Sequence, residues 1–88
     1  MDTHGENYLA TQEGRRLPVV HCVKGTPGWE LHPAIAPLAA GRRIFEKPTF
    51  GSRKLAAWIA AKRCEGVELI GLCTDICVIS NALLLKAY

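Results

Sequence analysis

The sequence predicts an α/β protein in which short parallel strands alternate with helices. Three candidate strands, at residues 17–23, 42–47 and 67–72, are each followed by turn chemistry and then a helix-patterned segment. The last of them is rich in branched apolar residues and too brief for a buried helix, as expected of a strand covered on both faces. Strand followed by helix three times over argues for parallel pairing through right-handed crossovers. There is no internal repeat and no low-complexity segment.

In order along the chain, residues 2–14 are polar and weakly periodic, a loop or short helical turn ending at Gly14. The strand at 17–23 carries Pro18 near its start, where a missing N–H does least harm. Residues 24–28, Lys24-Gly25-Thr26-Pro27-Gly28, form a turn cluster. Pro33 suits the first turn of a short helix through Leu38, with Pro37 limiting its length and Gly41 closing it. After the strand at 42–47, Pro48-Thr49-Phe50-Gly51 turns the chain. Ser52 then caps a helix to about Cys64, with Leu55, Trp58, Ile59 and Lys62 at helical spacing, Trp58 in the core, and Gly66 as the stop. Beyond the strand at 67–72, Thr74 and Asp75 offer N-cap chemistry for a final helix, with Cys77 in its first turn.

Composition narrows the classes of function. At 88 residues the chain is at most one small domain, and 49% apolar with 22% charged residues is ordinary globular composition. The net charge of +3 comes from scattered doublets such as Arg15/Arg16 and Arg42/Arg43, a solvated surface and not a nucleic-acid footprint. The longest apolar run, residues 82–85, is far too short to span a bilayer. Cys22, Cys64, Cys73 and Cys77 show no C-x-x-C spacing, and the polar Met1-Asp2-Thr3-His4 start is no signal peptide. Reduced thiols and a cytoplasmic location are the expectation, with Cys22 and Cys64 as small buried apolar groups.

Cys77 is the residue with most chemistry to offer. A thiol in the first helical turn faces the positive end of the helix dipole, and unpaired N–H groups nearby can receive charge developing on an attacked carbonyl oxygen. Read alone, Cys77 is more often a small buried hydrophobe, Lys47 an ordinary strand-end lysine and His21 a hydrogen-bonded core histidine.

Three separated motifs alter that balance. Gly71-Leu72-Cys73-Thr74-Asp75-Ile76-Cys77-Val78 resembles the strand-to-helix signature of the isochorismatase-like cysteine hydrolases. Phe45-Glu46-Lys47-Pro48-Thr49-Phe50 is similar to the strand end that carries that family's catalytic lysine. The segment from Pro18-Val19-Val20-His21-Cys22-Val23 through Gly25-Thr26-Pro27-Gly28 to Leu31-His32-Pro33 resembles the nicotinamidase-related branch, and Asp2-Thr3-His4 falls on its Asp-x-His metal motif. Order and spacing agree across nearly the whole chain.

The resemblance implies a three-layer α/β/α fold with a parallel sheet of Rossmann-like topology, of which this chain is a central piece with about three strands. It implies Cys77 as nucleophile, Lys47 as its lysine partner, and the backbone N–H groups of Cys73 and Cys77 as the oxyanion hole. Asp2, His4 and His21 match the ligands of a divalent metal, usually zinc, and the peptide bond entering Cys73 is implied to be cis. A small carboxamide would be hydrolysed to acid and ammonia through a cysteine thioester. Trp29 and Phe50 either line the substrate pocket or pack as core or rim; His32 is structural.

Two departures from the family pattern stand out. The family's catalytic aspartate lies on a strand before the metal motif, and no residue here matches it, so the expectation is a truncated member, inactive by itself. Pro18 to Val20 stand where nicotinamidases place an aromatic residue, which weakens nicotinamide itself as substrate. The alternatives are a metal-independent isochorismatase-type hydrolase and a non-catalytic fragment that forms homo-oligomers through exposed sheet edges. Neither nucleic acid nor membrane is expected as a partner.

Overall fold

A computed structural model describes the whole chain, Met1–Tyr88, which divides into two compact units, Met1–Pro48 and Thr49–Tyr88. Its helices are α1 (Gln12–Arg16), α2 (Ala36–Ala39), α3 (Arg53–Lys62) and α4 (Ile79–Lys86), with 3₁₀ turns at Tyr8–Ala10 and Pro27–Trp29 and a π turn at Thr74–Val78.

The three expected strands do not form. Parallel pairing survives only as two isolated bridges, Asp2 with Lys47 and His4 with Val23. Both belong to the first unit and both involve residues 1–4, which the sequence presents as loop. On one side the Met1 ammonium donates to the Phe45 carbonyl at 2.7 Å, Lys47 N–H to Met1 at 3.0 Å and Thr3 N–H to Lys47 at 2.9 Å. On the other, His4 N–H donates to Cys22 and Lys24 N–H to His4, each at 2.9 Å. Residues 1–4 are therefore the middle rung of a short parallel ladder.

Local geometry explains why residues 17–23 are not a strand. Val19 N–H bonds back to the Leu17 carbonyl at 2.8 Å, a γ-turn centred on Pro18. Cys22 then takes φ 48°, a left-handed conformation that extended chain cannot continue through.

Between the rungs, the chain wraps around Tyr8, whose side chain is 1% exposed. Thr11 caps α1, accepting from Gly14 N–H at 3.1 Å. Gly14 is required there by close approach, since a Cβ would lie 2.0 Å from the Tyr8 carbonyl oxygen. α2 begins later than the sequence suggests, with Pro37 in its first turn and not as its limit, because proline's missing N–H is one of the orphans of a helix start.

The second unit packs α3 on α4. Ser52 caps α3 as expected, accepting from Leu55 N–H at 3.2 Å. The helix stops at Arg63, which adopts φ 52°, not at Gly66. Asn81 of α4 fastens the two ends: its Oδ1 accepts from Ser52 N–H at 2.9 Å, and its Nδ2 donates to Phe50 O at 3.2 Å and Cys77 O at 2.8 Å.

Residues 67–72 have the branched composition of a buried strand but no strand to pair with, and stay exposed, Ile70 at 90% and Leu72 at 89%. Trp58 is half-buried under the Lys62 ammonium at 5.3 Å, and Ala56 takes the buried position on α3. Cys64 is exposed and Cys22 half-buried, so neither is the buried apolar group expected. No helix is long and apolar enough to cross a membrane.

Candidate functional site

The first unit assembles a polar cluster from residues far apart in sequence. Asp2 and His4 alternate along the middle rung, so their side chains leave the same face. The bridge to Val23 brings His21 alongside. The ligand atoms of Asp2, His4 and His21 lie within 4.8 Å of one another.

Each imidazole is set up differently. His21 Nδ1 donates to the Val19 carbonyl at 2.5 Å, which turns Nε2 towards the cluster, 3.8 Å from Asp2 Oδ2. His4 is 3% exposed, and its Nε2 is buried without a hydrogen-bond partner. Burial pushes the His4 pKa below its ordinary value and the neighbouring His21 adds to this, while Glu13 and the Pro48 backbone oppose it. The fold thus favours His4 in its neutral, ligand-competent form.

Lys47, 8% exposed, donates from Nζ to Asp2 Oδ1. The two oxygens of Asp2 thereby serve different neighbours, Oδ1 the lysine and Oδ2 the imidazole of His21. Trp29 is tied to the opposite face of the rung: its indole donates to Thr3 Oγ1 at 2.9 Å, and the Lys24 ammonium lies 5.7 Å above its ring. His32 Nδ1 accepts from Ala34 N–H at 3.1 Å, in line with a structural role.

Cys77 belongs to the second unit, half-buried within Thr74–Val78. The Leu72-Cys73 peptide is cis, as the resemblance implies. Neither Thr74 nor Asp75 caps by its side chain. Instead the Cys73 carbonyl accepts from Ile76 N–H at 3.2 Å and from Val78 N–H at 3.1 Å, the second closing a π-type ring. Ser80 Oγ donates to Ile76 O at 2.5 Å and Asn81 holds the Cys77 carbonyl, so the turn is fixed from the helix behind it. Phe50 is half-buried, with its carbonyl bonded to Asn81.

Sequence reasoning missed Tyr8, Gly14 and Asn81. Tyr8 packs on both histidines, with ring centroids 4.5 Å from His4 and 4.9 Å from His21. Asn81 carries a weak signal, being a polar residue in an otherwise apolar helix. Tyr8 and Gly14 carry none, because their importance arises from the path of the loop.

Known proteins point the same way. The chain is 26% identical over 90 residues to the nicotinamidase/pyrazinamidase of Mycobacterium tuberculosis (strain ATCC 25618 / H37Rv), covering 89% of this chain and 48% of that protein. The chain thus spans about half the length of the curated relative. No solved structure is a significant match. The model of the Isochorismatase domain matches residues 2–87. Since that match takes in both the histidine-bearing rung and the cysteine turn, the chain belongs to the isochorismatase-like superfamily.

Proposed function

We propose that the chain carries the metal-ligand and nucleophile segments of a cysteine hydrolase that converts a small carboxamide to a carboxylic acid and ammonia. The observation that carries this reading is His4 Nε2, a buried ring nitrogen with no hydrogen-bond partner inside an aspartate–histidine–histidine group. Leaving such a group unpaired costs about 1–3 kcal/mol, and a divalent cation is the partner that this donor set suits. Zinc fits one carboxylate and two neutral imidazoles with positions left for water or substrate. When bound, such an ion would orient a ring nitrogen or water of the substrate complex.

The residues of the chain then divide the chemistry. The Cys77 sulfur attacks the carboxamide carbon, and N–H groups at Cys73 and Cys77 receive the charge on oxygen. The C–N bond breaks, the nitrogen leaves as ammonia with the thiol's proton, and a thioester remains. Water hydrolyses it to the acid and restores the thiol. Lys47 matches the lysine that the family pairs with its nucleophile, and Trp29 and Phe50 are candidates for the pocket wall. A cytoplasmic setting for this chemistry belongs to the same proposal.

Zinc titration by calorimetry tests the metal half: binding by the chain and its loss in His4→Ala/His21→Ala is expected, and equal behaviour of the two sinks it. Ammonia release from nicotinamide and from simpler aryl carboxamides tests the chemistry, measured on the chain alone, where the missing aspartate predicts little or none, and on the chain extended by a strand that supplies that aspartate. Cys77→Ser should abolish it, and release that persists in Cys77→Ser rules Cys77 out as nucleophile. Release that survives the double histidine variant supports the metal-independent isochorismatase-type alternative.

The exposed run at 67–72 favours a second reading, a non-catalytic homo-oligomer. A monodisperse oligomer by light scattering, with no ammonia release from any carboxamide, would establish it.

A further inference from the structure

We infer that Tyr8 is the positioning residue of the histidine pair, a ring wedged against both imidazoles that fixes how His4 and His21 face each other. This rests on the metal reading for its use, though not for its geometry. The three rings form a closed triangle. Tyr8 lies 4.5 Å from His4 at 49°, Tyr8 lies 4.9 Å from His21 at 79°, and the two histidines are 4.8 Å apart at 71°. Tilted and edge-on packing of this kind restricts ring rotation without occupying a ring nitrogen.

The wedge is itself anchored at both ends. Its hydroxyl donates to the Leu17 carbonyl at 2.7 Å, with the Glu13 carbonyl at 3.5 Å. Its own carbonyl accepts from Thr11 Oγ1 at 2.6 Å and Thr11 N–H at 2.9 Å. Gly14 then backs directly onto that carbonyl. Tyr8 is thus held by the very loop that separates His4 from His21 in sequence. The Pro48 backbone holds His4 at one point of its ring while Nε2 has no partner, so a single hydrogen bond leaves rotation about it to be limited by packing. Tyr8 supplies that packing, and Leu17 O ties it to the γ-turn whose Val19 carbonyl sets the His21 tautomer.

The test compares Tyr8→Phe, which loses only the anchor, with Tyr8→Leu, which loses the ring. Two readouts are taken on the full chain: cobalt(II) affinity with its ligand-field spectrum, and ¹⁵N imidazole signals of the metal-free protein. Tyr8→Leu should weaken cobalt binding by about tenfold or more and alter the spectrum. Its metal-free imidazole signals should show His21 as a mixture of tautomers. Tyr8→Phe should weaken binding about threefold and keep the His21 Nδ1–H tautomer. Wild-type affinity and wild-type imidazole signals in Tyr8→Leu overturn the inference. If Tyr8→Leu does not fold, Tyr8→Phe decides, and identity with wild type in both readouts overturns it. Should the wild type bind no cobalt, the metal reading falls, and the imidazole signals alone judge Tyr8.

Discussion

In Met1–Pro48 the buried side chains include a tyrosine, a histidine and a lysine; in Thr49–Tyr88 they are an alanine, a serine and an asparagine. The first unit has a cluster of polar side chains where a small domain would place its apolar core. Two imidazoles pack on one aromatic ring, and an aspartate paired with a lysine lies beside one of them. The second unit is two helices fastened by a single amide, with much of its apolar surface outside. The difference teaches that packing and candidate site coincide throughout the first unit, whereas in the second they meet only at Asn81, which holds both the start of α3 and the Cys77 carbonyl. A substitution beside Tyr8 alters both the packing and the site. One beside Ala56 alters only packing.

The largest expected effect tests the first half of that contrast. Gly14→Ala drives a Cβ into the Tyr8 backbone, which cannot yield as a side chain would. A loss of about 3 kcal/mol or more is expected in urea unfolding, together with loss of metal binding. Retention of either would show the loop to be more pliant than its geometry. Next is Asn81→Leu, which leaves the Ser52 N–H and the Phe50 and Cys77 carbonyls short of partners. It should cost about 2–3 kcal/mol, read as lost hydrogen-exchange protection along α3 and α4. Ser52→Ala removes only the cap and should cost about 1 kcal/mol.

The pH response sharpens the contrast further. His4 is held below its ordinary value of 6.5 in the folded state, so the unfolded chain binds the proton more readily. Stability from this group is complete above 6.5 and falls as pH drops from there through the folded value. Urea midpoints in chelator should decline over that window, and His4→Gln should flatten the decline. The smallest effect belongs to Glu46→Gln, which breaks the exposed 2.8 Å pair with Lys24 and should shift stability by less than about 0.5 kcal/mol.

Much of this was legible beforehand. Ser52 as a cap and the helix after it follow from short-range chemistry, and the nearness of Asp2, His4 and His21 follows from the family resemblance; the cysteine turn falls where expected, though as a π turn without the Thr74 or Asp75 cap. The family is an α/β one, and the two bridges keep the parallel sense expected of it. The strands themselves were not legible as absent. Residues 67–72 have the right composition, but a strand exists only when another lies beside it, and composition does not specify the neighbour. Nor could sequence show that residues 1–4 pair on both sides, or that Lys47 reaches Asp2 across 45 positions. Glycine at 14 looks like a loop end until the Tyr8 carbonyl is seen behind it.

The Asn81 amide has a consequence for how the protein ages. Its NH₂ group points at two carbonyl oxygens, so spontaneous hydrolysis to aspartate would exchange two donors for an anion facing two acceptors. One ammonia lost from that side chain, invisible in size and nearly so in mass, would unfasten the cysteine turn from the helix that holds it.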